Sequence, residues 1–281
     1  MTRIIVLILS FLSFTISVGQ NISCSPKDAA AFSKKVTEIN RLNTTAKFGD
    51  KLTAIGKTFV GIPYVAKTLE VGEKEALVVN LHGLDCTTFI ENVLAFALID
   101  RADSTDFYSF TNTLEKIRYR DGKLNGYGSR LHYFTEWISN NESKGLVKNI
   151  THNIGGRTVQ KDINFMGTHR NLYPFLTDDD NYTTILKTEA ELKENEFCVL
   201  AQEDLVGNEH LLQTGDIIAL ATSINGLDVT HTGIAIREKD GRIHLLHAST
   251  GSMEVEITKL PLADYLKNIK SNIGIIVARP L

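Results

Sequence analysis

The stretch Leu84-Asp85-Cys86-Thr87-Thr88-Phe89 decides how this chain reads. The residues that follow Cys86, Phe89-Ile90-Glu91-Asn92-Val93-Leu94-Ala95-Phe96-Ala97-Leu98, include strong helix formers and neither Gly nor Pro. Their apolar positions run round most of a helical circumference, which predicts a helix buried on nearly every side. Asp85 is a good N-cap type, so Cys86 falls at or beside the first helical position. Free N–H groups and the helix dipole favour an anion there, which predicts a lowered thiol pKa. Two readings of Cys86 follow: a nucleophile poised at a helix start, or a small buried side chain that packs one.

At 281 residues, 43% apolar and 22% charged, the chain has room for a sizeable core in one large domain or two small ones. A net charge of −3 gives no electrostatic footprint for nucleic acid. Residues 1–19 stand apart, with Thr2-Arg3, an apolar and hydroxyl run from Ile4 to Val18, and small residues at Ser17 and Gly19. That is the pattern of a secretory signal peptide cut after Gly19, which leaves 20–281 as a single domain. The apolar run is short for a membrane span, and no later segment approaches one, so the mature chain is expected to have no span. Acylation at Cys24 is the weaker reading, because Asn21-Ile22-Ser23 lacks the Leu expected before the small residues. With an odd cysteine count, and Cys86 set apart as a nucleophile, Cys24 and Cys198 can pair or stay free; the spacing does not decide, and two lone cysteines are the safer expectation. No CxxC or zinc-like spacing is present, and no cofactor is implied.

Residues 25 to 48 read as helical with one polar face, and a second helix is expected from Asp50 to Val60. Gly61-Ile62-Pro63-Tyr64 ends it. Val65 to Leu69 and Glu75 to Leu81 read as short extended pieces. Between about 106 and 195 lies an elaboration with weaker periodicity. It holds an amphipathic helix over Phe107–Tyr119, a second over Ser129–Ile138, and an acidic turn at Asp178-Asp179-Asp180. The last eighty or so residues read as strands. Gly215–Ala221 is a buried one, Val229–Arg237 and Arg242–Ser249 form a hairpin about Lys239-Asp240-Gly241, and Ile273–Arg279 ends the set. A short helix is expected within Leu260–Ile269. A helical first half followed by antiparallel strands argues an α+β fold.

Side chains alternate along a strand, so His231, Gly233 and Ala235 share one face of the hairpin. On the return strand Leu245 and His247 share a face that His244 does not. His231 can therefore meet His244 or His247 across the sheet, but not both, which argues against a three-histidine metal site. A thiol nucleophile needs a base within reach and a group that orients the base. Cys86, His231 and His247 can fill those roles, while His244, flanked by Ile243 and Leu245, reads as structural. The bland alternatives are an edge-strand surface histidine for His231 and a core imidazole for His247.

Taken in order, Gly61-x-Pro63-Tyr64, Leu84-Asp85-Cys86-Thr87, Gly215-Asp216, Thr230-His231-x-Gly233-Ile234 and Leu246-His247-Ala248-Ser249 resemble the NlpC-type, papain-like cell-wall cysteine hydrolases. The pattern of that superfamily runs G-x-P-Y, D-C-S-G, G-D, H-x-G-I and I-H-A. Thr88 departs from it, standing where Gly is usual. Further marks bring the chain close to an N-acetylmuramoyl-L-alanine amidase-like branch. They are Leu84-Asp85-Cys86-Thr87-Thr88-Phe89-Ile90-Glu91-Asn92, Ile117-Arg118-Tyr119-Arg120, Ser129-Arg130-Leu131-His132-Tyr133-Phe134 and Gly226-Leu227-Asp228-Val229-Thr230-His231.

The resemblance implies a papain-like core, with the nucleophile at the N-terminus of a helix packed on an antiparallel sheet that carries the histidines. It implies cleavage of the amide between N-acetylmuramic acid and L-Ala in peptidoglycan or muropeptides, 1,6-anhydro fragments included. The wider superfamily more often cuts the γ-D-Glu to diamino-acid bond, and a wall-binding protein with a dead site is a third reading. By the resemblance Cys86 is the nucleophile, His231 the base and His247 its orienting partner. Tyr64 lines the oxyanion side, and Asp85 caps its helix or touches substrate. Arg130, His132 and Tyr133 are candidate substrate contacts, Arg being suited to carboxylates. A role in wall recycling fits the periplasm.

Overall fold

The computed structural model describes residues 21–42, 47–194 and 197–281. The expected signal peptide, 1–19, lies outside the described residues. In chain order the elements begin with β1 (Ile22–Cys24), α1 (Pro26–Ile39), α2 (Phe48–Lys57), β2 (Leu77–Val79), α3 (Cys86–Arg101) and α4 (Phe107–Arg118). The middle holds α5 (Phe134–Ser143), β3 (Val147–Asn149), β4 (Arg157–Val159), α6 (Phe165–Thr168) and α7 (Asp179–Leu192). Then come β5 (Phe197–Ala201), α8 (Leu205–Asn208), β6 (Ile217–Thr222), β7 (Val229–Arg237), β8 (Ile243–Ser249), β9 (Glu254–Ile257), α9 (Leu262–Leu266) and β10 (Asn272–Pro280).

The fold is α+β. An antiparallel sheet runs β4-β5-β10-β6-β7-β8-β9, with β3 paired to β10, while β1 and β2 form a separate parallel pair. The sheet is covered on both faces. On one side Ile234 and Leu246 meet Phe89 of α3 and join Phe59 and Phe96 in the larger core. On the other, Ile218, Leu220, Ala235 and Leu245 pack under Leu262 and Leu266 of α9. The hairpin turns at Gly241, whose φ of 79° lies in the left-handed region that favours glycine.

Helix α3 is the central element. Asp85 and Thr88 form a capping box: Asp85 Oδ1 accepts from the Thr88 N–H at 2.8 Å, and Thr88 Oγ1 accepts from the Asp85 N–H at 2.9 Å. From Thr88 to Ile99 every residue is buried, because strands lie under one face and α2 and α4 cover others. Phe89 and Phe96 each contribute about 1.5–3 kcal/mol through burial. Two of its polar side chains find partners inside the core, while Asn92 Oδ1 is buried without one. Arg118 Nε donates to Glu91 Oε2 at 2.6 Å, and Asn92 Nδ2 donates to Thr88 O at 2.8 Å.

Several local expectations are corrected. The helix expected over 25–48 stops at Ile39, ahead of the poor helix formers Asn43-Thr44-Thr45, and the next runs Phe48–Lys57 instead of Asp50–Val60; residues 43–46 lie outside the described residues. Val65–Leu69 turns rather than extends, with Lys67 at φ 60° and its carbonyl accepting from the Glu70 N–H at 3.1 Å. The helix expected over 129–138 begins only at Phe134: Arg130 bridges Tyr119 and the Leu131 N–H reaches Arg118 O, which holds the chain extended. Asp178 is a helix cap and not part of a turn, since its Oδ1 accepts from the N–H groups of Asp180 and Asn181. No disulfide joins Cys24 and Cys198.

Removing one partner of a buried ion pair strands the other. Glu91→Ala should therefore destabilise the protein by about 3–5 kcal/mol in chemical denaturation. A loss below about 1 kcal/mol would contradict this account of how α3 is held.

Candidate active site

Cys86 is the first residue of α3 and is only partly buried. It opens onto a groove of about 150 Å³ shared with Thr87, His132, Tyr133, Met166, Tyr173, Asp228 and the Thr230–Thr232 end of β7. The Thr88 N–H is tied to the Asp85 side chain and the Phe89 N–H to the Asp85 carbonyl. The Cys86 and Thr87 N–H groups at the helix start keep no partner among the described residues. Thr88, the departure from the resembling motif, spends its hydroxyl on the capping box and is buried away from the groove. Asp85 is likewise a cap, its Oδ1 accepting from the Thr88 N–H.

The thiol does not follow the helix-start expectation. Burial pushes its pKa up to about 11, and the Asp85 carboxylate adds to the rise. The nearby Thr232 and Thr87 polar groups pull the other way without matching it. Thr232 Oγ1 is buried with no hydrogen-bond partner among the described residues. In the resting site Cys86 is therefore a neutral thiol.

His231 and His247 lie on one face of the sheet, and His231 Nε2 is 2.6 Å from His247 Nδ1 with the rings at 87°. Gly233, between them on that face, makes the approach possible. A Cβ there would meet His247 Cβ at 3.0 Å and Leu245 at 2.6 Å. Burial depresses both imidazoles, His231 to about 4 and His247 to about 3, the second also repelled by the first. Both are neutral near pH 7. If His231 Nε2–H donates to His247 Nδ1, His231 Nδ1 is left able to accept a proton. His244 faces away, bonded to Thr258 O at 2.7 Å and Asp240 at 3.1 Å.

The other expected site residues divide. The Tyr64 phenol is pushed up to about 12 by burial and by its proximity to Cys86 and Asp85, so its O–H stays protonated beside the thiol. His132 lines the groove, its Nε2 held 2.9 Å from Tyr127 O and its pKa driven well down by burial and Arg130. Tyr133 lines it with its ring, but its hydroxyl is spent, donating to Glu189 at 2.7 Å and accepting from the Met166 N–H at 2.8 Å. Arg130 is corrected. It does not line the groove, and its guanidinium is buried against Glu70 at 2.6 Å and Glu75 at 3.3 Å, out of reach of a substrate carboxylate.

Sequence reasoning missed Thr232, which strand alternation places opposite His231, and Met166 and Tyr173, which reach the groove from the elaboration. It also missed the task of Asp228, whose buried carboxylate accepts from the Thr135 N–H at 2.8 Å and the Val229 N–H at 2.8 Å. That clamps the start of α5 to the start of β7. Among the described residues no three His, Cys, Asp or Glu side chains come together as metal ligands.

A neutral thiol sets a pH signature. Its thiolate fraction rises tenfold per pH unit up to its pKa. Alkylation of Cys86 by iodoacetamide, followed by peptide mass, should climb steadily from pH 6 to 9.5 without a plateau. A rate already flat across that range would mean a preformed thiolate and would contradict the reading.

Residues 54–275 match the family described as AmiA-like, N-acetylmuramoyl-L-alanine amidase-like. An N-acetylmuramoyl-L-alanine amidase from Bacteroides uniformis ATCC 8492 is similar at 37% identity and a TM-score of 0.79, over 83% of this chain and 99% of that one. A Bacteroides fragilis structure with a provisional xylanase name is similar at 41% identity and a TM-score of 0.75, over 80% and 98%. Protein LPG0564 from Legionella pneumophila shares the fold at 21% identity and a TM-score of 0.67, over 90% and 95%. No curated protein matches. With most of its length matched, this chain belongs to the N-acetylmuramoyl-L-alanine amidase-like family.

Proposed function

We propose that the protein is a cysteine-dependent N-acetylmuramoyl-L-alanine amidase with a papain-like, NlpC-type core. It cuts the amide between the lactyl group of N-acetylmuramic acid and L-Ala, in soluble muropeptides including 1,6-anhydro fragments. The observation that carries this is Cys86 at the start of α3, opening onto the same groove as His231, with His231 Nε2 2.6 Å from His247. Family membership names the bond. The pattern of residues 1–19 fits export, and a recycling role fits the periplasm.

In this mechanism the charges arise with the reaction. Cys86 Sγ attacks the amide carbonyl as His231 takes its proton, so thiolate and free imidazolium never stand apart in the resting site. The Cys86 N–H and the Tyr64 O–H serve the oxyanion. As the intermediate collapses, the C–N bond breaks and His231 returns the proton to the leaving amine of L-Ala. Water then attacks the muramoyl thioester, His231 taking the proton of the water, and Cys86 leaves as the thiol. His247 holds the His231 ring in place throughout.

The groove is walled by His132, Met166 and Tyr173 from the elaboration, which supports small fragments over an intact wall. A xylanase reading finds no support in the site. Glycoside hydrolysis uses a pair of carboxyl groups across the scissile bond. Asp228 is the one carboxylate lining the groove among the described residues, and it is buried and hydrogen-bonded.

Product mass tests the proposal. With a soluble anhydro-muropeptide, the wild type should release a whole stem peptide and free sugar, unaffected by chelators. Cys86→Ala should release neither, a loss of at least about a thousandfold. A cut within the stem would move the function to a γ-D-glutamyl endopeptidase on the same machinery. Wild-type turnover by Cys86→Ala would sink the mechanism.

A further inference from the structure

The histidine pair leaves one atom unaccounted for. His247 Nδ1 is taken up by His231, so Nε2 carries the other proton when the ring is neutral and Nδ1 accepts. That nitrogen is buried and has no hydrogen-bond partner. A buried N–H without an acceptor is costly and rare. The carboxylate nearest to it is Glu256, with Oε1 3.9 Å from Nε2. Glu256 stands directly opposite His247 in the β8–β9 ladder, and its side chain is 29% exposed and so has room to move.

We propose that Glu256 accepts the His247 Nε2–H in the working enzyme, making it a positioning residue for the base. The inference rests on the Cys86–His231 reading. A shift of about an ångström brings the carboxylate within ordinary hydrogen-bond range. The contact locks His247 in the tautomer that accepts from His231 Nε2–H, and so turns His231 Nδ1 toward the thiol. It also places a negative charge at the far end of the pair, which stabilises the imidazolium formed when Cys86 gives up its proton. The titratable groups facing His247 are His231 from β7, Glu256 from β9 and Tyr265 from α9, whose ring meets it edge-on at 5.6 Å. Tyr265 is kept neutral by burial and by the proximity of Glu256 and Cys86. Glu256 is thus the one anion available to the pair among these groups.

The test compares wild type, Glu256→Gln and Glu256→Ala as purified protein. Nitrogen-15 histidine spectra, with His247 assigned by its loss in His247→Gln, read the tautomer without any need for turnover. Wild type and Glu256→Gln should hold the Nε2–H form, since the Gln amide oxygen still accepts, while Glu256→Ala should populate both. On a soluble muropeptide Glu256→Ala should lose about ten- to a hundredfold in kcat, with KM within about twofold. Loss of the carboxylate lowers the pKa of the pair, so the acid limb of the kcat profile should move to lower pH in both variants. Glu256→Gln should recover most of the lost kcat. An Nε2–H tautomer unchanged in Glu256→Ala, or a kcat within about twofold of wild type with an unmoved acid limb, would overturn the inference. If wild type cuts no muropeptide, the proposed function fails, and the tautomer spectra still decide the role of Glu256.

Discussion

Helix α3 must be buried on nearly all sides and yet begin at a groove, and the rest of the fold serves that constraint. The sheet, α2 and α4 cover its length, while the Asp85–Thr88 capping box fixes the residue at which it starts. A start one residue later would withdraw the Cys86 N–H from the groove. The ion pair between Glu91 and Arg118 keeps the helix polar where the core surrounds it, and so ties its position to α4. Strand β7, which packs against the same helix, carries His231 at the end that lines the groove with Cys86. Packing of one apolar helix therefore sets the relative placement of Cys86 and His231.

Burial also sets the charge state. It raises the thiol, lowers both imidazoles and leaves these three side chains uncharged at rest. A neutral site costs less to enclose than an ion pair does. The same low polarity strengthens each fixed dipole acting on the charges that appear during reaction. In the proposed mechanism the helix N-terminus acts on the oxyanion and on the departing thiolate rather than on the resting thiol. The elaboration completes the enclosure. Asp228 clamps α5 to β7, and His132 and Tyr133 line the groove together with His231.

What the sequence disclosed followed from short-range rules. Asp85 before an apolar run marked the helix start, strand alternation allowed His231 only one of His244 and His247, and the apolar flanks of His244 together with the resemblance pointed to His247. The turn at Gly241 aligned the strands that carry them. What stayed hidden depends on contacts between distant parts of the chain. Arg130 was read on a helix face, but its partners Glu70 and Glu75 stand some sixty and fifty-five positions earlier, and a bridge to Tyr119 holds its backbone extended. The rise in the thiol pKa is a matter of burial, which local pattern does not report. Strand β9 has only 4 residues, too few for its alternation to stand out, so Glu256 carried no signal. Met166 and Tyr173 reach the groove through irregular structure that has no period to read.

The central claim is that Cys86 carries the acyl group between the two halves of the reaction. Intact-protein mass after rapid mixing with a soluble muropeptide and an acid quench tests it in one step. The account predicts a transient adduct on Cys86 with the mass of the muramoyl sugar acid less one water, since the thioester retains the lactyl side and releases the stem. An adduct carrying L-Ala-γ-D-Glu as well would keep the nucleophile and contradict the bond. Turnover with no adduct at any time, in wild type whose Cys86 is intact, would speak for direct attack by water and contradict covalent catalysis.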